Sequence, residues 1–125
     1  MKPLSSIAEL TTRVRAFAQE RDWEQFHTPK NLAMALAGEV GELVAELQWL
    51  TPEQSAAVMQ DEELGPRVRA EMGDVTIYLV RLADVLGVDL VQAALAKLED
   101  SGRRYTVDAA RSSAAKINAD RPPAS

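Results

Sequence analysis

Shifted by 32 residues, this chain overlays on itself with apolar positions on apolar and acid on acid. Leu36, Glu39, Val40, Glu42, Leu43, Leu47 and Leu50 fall on Val68, Glu71, Met72, Asp74, Val75, Leu79 and Leu82. Both segments repeat their apolar residues every three or four positions, the period of a helix with one buried stripe. Two helices with one register predict a paired, pseudo-symmetric arrangement. No alternating strand pattern, heptad run or solenoid repeat competes with it.

The remaining signals are helical too. Ile7, Leu10, Val14 and Phe17 predict a first helix ending near Arg21, with Ser5 or Ser6 as its cap. Asp22 to Thr28 reads as a connector. Thr28-Pro29 reads as an N-cap followed by proline at the first helical position, opening a second helix to about Leu50. Thr51-Pro52-Glu53-Gln54 predicts a capping box and a short third helix. Asp61 to Pro66 reads as a loop marked by Gly65-Pro66. A fourth helix follows over Arg67 to Leu86, stopped by Gly87. Asp89 caps a fifth, to about Arg104. From Thr106 the chain is small and polar, and residues 121–125 are expected to be disordered. The expected architecture is all-α, a bundle of four to five helices, with one domain over 1–110 and a flexible tail over 111–125.

Each of the two central helices carries acid-x-Gly-acid: Glu39-Val40-Gly41-Glu42 and Glu71-Met72-Gly73-Asp74. Spacing of three puts both acids of a pair on one side of a helix. That spacing alone has no weight: 19 acids in 125 residues give about three such pairs by chance. Position gives it weight. Glu39, Glu42 and Glu46 lie beside the Leu32–Leu36–Leu43–Leu47 stripe, on an arc of about 60° at 100° per residue. The second helix is otherwise apolar nearly all round, which predicts burial. On the fourth helix Glu71, Asp74, Tyr78 and Arg81 border the stripe in the same way. Burying several ionised carboxylates without partners costs several kcal/mol each, in round terms. The nearby bases are few, chiefly Arg81 and Lys97. A hard cation is the economical partner, and carboxylate oxygens suit Mg²⁺. Gly41 and Gly73 interrupt their helices either for close helix approach or to leave room for a ligand. The competing structural explanation is a helix-packing glycine with partly solvated acids beside it.

The totals narrow the partners. The net charge of −5 disfavours duplex nucleic acid and anionic membrane surfaces. There is no cysteine, hence no disulfide, zinc–thiolate site or thiol nucleophile. No apolar run reaches membrane-span length and no signal-peptide core is present, so a cytoplasmic location is expected.

On these residues the sequence resembles the MazG-like all-α nucleoside triphosphate pyrophosphatases. Their signature is Glu-x-x-Glu on one helix and Glu-x-x-Asp on another. It is most similar to the dCTP pyrophosphatase branch, through Arg21-Asp22-Trp23-Glu24-Gln25-Phe26-His27, Pro29, Asn31-Leu32, Gln48-Trp49 and Ile77-Tyr78-Leu79-Val80. The resemblance spans about Ile7 to Arg111. It implies that Glu39, Glu42, Glu71 and Asp74 bind Mg²⁺, with Mn²⁺ as a substitute, and serve hydrolysis of a dNTP, dCTP or a related pyrimidine, to dNMP and pyrophosphate. It assigns the base pocket to Trp23, His27, Trp49 and Tyr78, and makes Lys30, Lys97 and Arg104 candidates to hold the triphosphate. It also implies a homodimer or homotetramer.

The sequence departs from the branch at Val14, where a histidine is common, at Ala45, and at Ser101 and Thr106. These changes leave the metal motif whole. A ferritin-like di-iron protein would need Glu-x-x-His on two helices, and only Glu24-x-x-His27 has that spacing. A non-catalytic helical binding or regulatory module with a degenerate metal site is the alternative from another class.

Overall fold

The computed structural model describes residues 6–111, 113 and 114. Among these residues six helices follow in order: α1 (Ile7–Glu20), α2 (Pro29–Leu47), α3 (Pro52–Ala56), α4 (Leu64–Leu86), α5 (Leu90–Arg104) and α6 (Val107–Ala110). Among the described residues there is no strand. Short 3-10 turns occupy Glu24–Phe26 and Val58–Gln60. The expected disorder of 121–125 concerns positions outside the described residues.

Side-chain caps set most of the helix starts. Ser6 accepts from the Glu9 N–H at 3.1 Å, and Thr28 accepts from the Asn31 N–H at 3.2 Å. At Thr51 the capping box is complete: the Thr51 hydroxyl accepts from the Gln54 N–H at 3.1 Å, and the Gln54 side chain accepts from the Thr51 N–H at 2.9 Å. Asp89 accepts from the Gln92 N–H at 3.0 Å. Each bond satisfies a donor the helix itself cannot. Gly87 ends α4 with φ of +68°, a left-handed turn that glycine enters without steric cost.

Four expectations need correction. First, the Gly65-Pro66 pair does not stop the chain; it lies in the first turn of α4, which starts at Leu64. Proline is tolerated there because its missing N–H has no helical partner to lose. Asp61 supplies the cap, accepting from the Glu63 and Leu64 N–H groups at 2.9 and 2.8 Å. Gly65 is buried, and a Cβ on it would stand 3.0 Å from the Val58 carbonyl oxygen. Its lack of a side chain is what lets the turn before α4 close onto the helix. Second, α2 ends at Leu47, and Gln48 to Leu50 form a turn. Third, Thr106 caps a further short helix, accepting from the Ala109 N–H at 3.2 Å. Fourth, α2 is not buried all round. Leu32 is its one fully buried residue, while Met34, Val40 and Val44 are exposed.

The chain divides after Val88 into two compact units. In the first, α2 packs along α4, as the shared register predicts, and α1 packs on α4 as well. The core is thin: Ala18 of α1, Leu32 of α2, Val58, and Val68, Val80 and Ala83 of α4. A single chain therefore buries one stripe of α2 and leaves the rest of its apolar surface uncovered. In the second unit, Asp100 on α5 pairs with Lys97 at 3.5 Å, Arg103 at 3.8 Å and Arg104 at 3.0 Å.

Candidate metal centre and aromatic loop

The acid pairs meet because α2 and α4 pack with matching register. Glu39, Glu42 and Glu71 each offer a carboxylate oxygen, and these oxygens lie within 4.8 Å of one another. Asp74, half-buried on the turn after Glu71, stands outside that tight group, yet its negative charge acts on Glu39. The structure thus gathers three of the four expected acids closely, with the fourth beside them.

One oxygen of Glu39 and one of Glu71 are shut away from solvent without a hydrogen-bond partner. Buried oxygens of this kind are costly unless something satisfies them. Burial pushes the Glu71 carboxyl up to about 7, and the Glu39 and Glu42 carboxylates push it in the same direction. Burial likewise raises Glu39, helped by Glu42 and Asp74 and opposed by Glu71. Repelling carboxylates with orphaned inner oxygens are a donor set made for a hard divalent cation, which would supply the missing positive charge. The bases named from sequence do not supply it: Arg81 bonds Asp84, and Lys97 bonds Asp100. Glu46, the third acid on this side of α2, is paired with Arg67 at 3.2 Å.

Among the described residues, a Cβ on Gly41 or Gly73 would meet nothing within 4 Å, so neither glycine marks a close approach of helices there.

The aromatic loop stands on α1 and α4. After α1 the chain turns at Asp22, whose φ of +54° is the left-handed region. The Gln25 side chain braces this turn, donating to the Asp22 carbonyl at 3.0 Å and its carboxylate at 3.2 Å. Asn31 ties the loop to α2 by donating to the Phe26 carbonyl at 3.1 Å. Phe17 and Trp23 meet edge to face at 5.7 Å, and Trp23 and His27 at 6.2 Å. The Arg21 guanidinium covers the other end of this ladder, 3.5 Å from the Phe17 ring. Trp23 and His27 are therefore neighbours. Tyr78 is half-buried on α4, and Lys30 is exposed on α2. Trp49, in the turn after α2, is 86% exposed. Lys97 and Arg104 belong to α5 in the second unit.

One group of functional interest was not read from sequence. Arg15 of α1 grips Asp84 of α4 through both carboxylate oxygens, at 2.8 and 2.6 Å. Arg81 donates to the same carboxylate at 3.1 Å and, through Nε, to His27 Nδ1 at 3.0 Å. The Arg81-x-x-Asp84 spacing was the available signal. Its partners 69 and 54 positions away were not.

The comparisons with known proteins place the chain among pyrophosphatases. The dCTP pyrophosphatase 1 of Bos taurus is 49% identical over 104 residues, covering 80% of this chain and 59% of that protein. The proteins of the same name from Homo sapiens and Mus musculus are 49% and 45% identical, each match covering 91% of this chain and 67% of the relative. The chain spans 59–67% of the length of these curated relatives. A crystal structure of a pyrophosphatase from Archaeoglobus fulgidus superposes with a TM-score of 0.74 at 33% identity, covering 85% of this chain and 97% of that one. No protein-family model matches. With the helical architecture, the paired acids and these identities together, the chain belongs to the MazG-like all-α pyrophosphatases, in their dCTP pyrophosphatase branch.

Proposed function

We propose that this protein is a Mg²⁺-dependent nucleoside triphosphate pyrophosphohydrolase acting on dCTP or a closely related pyrimidine dNTP. The carrying observation is the convergence of Glu39, Glu42 and Glu71 with two buried, unsatisfied oxygens, in a chain nearly half identical to proteins named dCTP pyrophosphatase. The reaction adds water across the α–β phosphoanhydride. A P–O bond forms at the α-phosphorus, the bridging P–O bond breaks, and pyrophosphate leaves with the dNMP as the other product.

Glu39, Glu42, Glu71 and Asp74 are the ligands in this reading. A bound Mg²⁺, or Mn²⁺ in its place, offsets phosphate charge and makes water a better nucleophile. Trp23 and His27 contact the base, supported by their adjacency on the braced loop. Trp49 and Tyr78 complete the base pocket. Lys30, Lys97 and Arg104 are the cations assigned to the triphosphate, as charge-assisted donors. Residues 1–110 act as one catalytic domain, with 111–125 as a tail.

The working form is a homodimer or homotetramer. The exposed Met34, Val40, Val44, Met72 and Trp49 support that reading, because a thin core gains most from association. No described helix is long and apolar enough to cross a membrane. The proposed location is cytoplasmic, without duplex nucleic acid as a partner.

The test is pyrophosphate release from a panel of NTPs and dNTPs with Mg²⁺. Turnover of dCTP above the purine nucleotides supports the reading. A purine preference rejects the base assignment and spares the reaction. No hydrolysis of any nucleotide would make the chain a non-catalytic binding or regulatory module.

A further inference from the structure

His27 is the only histidine in the chain, and Arg81 fixes its ring. Arg81 Nε donates to His27 Nδ1 at 3.0 Å. A guanidinium has no acceptor and keeps its protons at any ordinary pH, so Nδ1 must present a lone pair. The proton of the neutral imidazole then sits on Nε2. Arg81 is itself 6% exposed, which makes its own orientation a matter of the packing around it. Its counter-ion is Asp84, held from the far side by the two Arg15 bonds. Four side chains from α1, α4 and the loop thus form one chain of charge-assisted bonds ending at the imidazole.

The surroundings of the ring favour its neutral form. Burial lowers the His27 pKa, and the Arg81 charge lowers it further, against a smaller opposing effect of Glu24 on the same loop. Arg81 is the one charged group from α4 bonded to the ring, and Asp84 lies behind that guanidinium. Trp23 meets the ring by an edge contact and carries no charge.

We propose that Arg81 is a positioning residue for base selection: anchored by Asp84 and Arg15, it holds His27 as the neutral Nε2–H tautomer, so that the pocket offers a hydrogen-bond donor. This rests on the reading of Trp23 and His27 as base contacts. A donor at Nε2 needs an acceptor on the base. O2 accepts on cytosine, thymine and uracil alike, but N3 accepts only on cytosine, since thymine and uracil carry an N–H donor there. Directed at N3, the locked tautomer favours cytosine-type bases over thymine and uracil, and a ring free to exchange its tautomer would discriminate less.

The experiment combines nitrogen NMR of the single histidine with kinetics. In the free wild-type protein at pH 7, Nδ1 should show the shift of an unprotonated ring nitrogen and Nε2 that of a protonated one. Adding the non-hydrolysable α,β-imido analogue of dCTP with Mg²⁺ should move the Nε2 resonance and leave the Nδ1 assignment unchanged. In Arg81→Met both tautomers should appear. KM for dCTP should rise roughly fivefold, the loss of one hydrogen bond of ordinary strength. kcat should stay within about twofold, since the chemical groups are untouched. The dCTP to dTTP ratio of kcat/KM should narrow, and Arg81→Lys, which keeps a donor, should restore part of it. A proton on Nδ1 in the wild type overturns the proposal, as does an Nε2 resonance unmoved by an analogue that binds. Failure of the analogue to bind at all rejects the nucleotide reading, and the proposal falls with it.

Discussion

The Arg15–Asp84–Arg81 group predicts a large and specific stability loss for Asp84→Asn. The side chain of Arg81 is 7% exposed and that of Asp84 15%, so this is a desolvated pair. Breaking a buried pair from one side costs about 3–5 kcal/mol, because the remaining charge is left uncompensated. Arg81 keeps a bond to His27, and Arg15 is 46% exposed and regains water. Both put the expected loss at the lower end, about 3 kcal/mol. Against a urea slope near 2 kcal/mol per molar, that lowers the unfolding midpoint by about 1.5 M. Arg15→Met, which removes only the exposed partner, should cost far less. Acid titration gives an independent check. The Arg15 hydrogen bonds hold the Asp84 carboxyl below its ordinary value of 3.8. A depressed carboxylate contributes stability above its unfolded pKa and loses it as pH falls through the folded one. That part of the acid-limb loss should be missing in Asp84→Asn. The reasoning fails if Asp84→Asn and Arg15→Met cost the same small amount, for the group would then be an ordinary surface pair.

Two further outcomes follow from particular contacts. Gly65→Ala should destabilise by about 1–3 kcal/mol in urea melts, because the new Cβ would press on the Val58 carbonyl, a backbone atom with no rotamer to yield. In metal-free protein, Glu71 with a pKa of about 7 contributes stability that is full below its unfolded value of 4.5 and fades as pH rises through 7. Chelator-treated samples should therefore lose thermal stability between pH 5 and 7, and added Mg²⁺ should release protons at pH 6.5 in buffer-dependent calorimetry. An unchanged melting temperature across that range, or binding without proton release, refutes the assignment of the shifted group.

Local physics made much of this fold legible. The Asp89-x-x-Gln92 cap, the Thr51 capping box and the Gly87 stop are decided by groups within four residues, and each helix boundary they predict was found. The start of α4 is not legible from Gly65-Pro66, because Gly-Pro punctuates both loops and first helical turns, and Asp61, three residues before Leu64, decides between them. The acid cluster is legible because the register of two helices places Glu39, Glu42 and Glu71 together. Burial of α2 was overestimated. An apolar surface says that something covers it, and does not say whether the cover is α4 or a second copy of the chain. The bonds from Arg15 to Asp84 and from Arg81 to His27 join distant positions. Arg15, Arg81 and Asp84 each look like an ordinary charged residue at a helix surface, and His27 like an ordinary loop residue.

The central claim is that the carboxylate cluster holds the cation on which hydrolysis depends. The most direct measurement is the Mg²⁺ dependence of pyrophosphate release from dCTP by the wild type and by Glu71→Gln. Glutamine keeps the size of the side chain and removes one of three converging charges. Altering even a group that merely supports a metal ligand costs 10–100-fold, so losing a ligand should lower turnover by about 100-fold or more and shift the Mg²⁺ requirement upward. Equal turnover at equal Mg²⁺ in the two proteins would contradict the account.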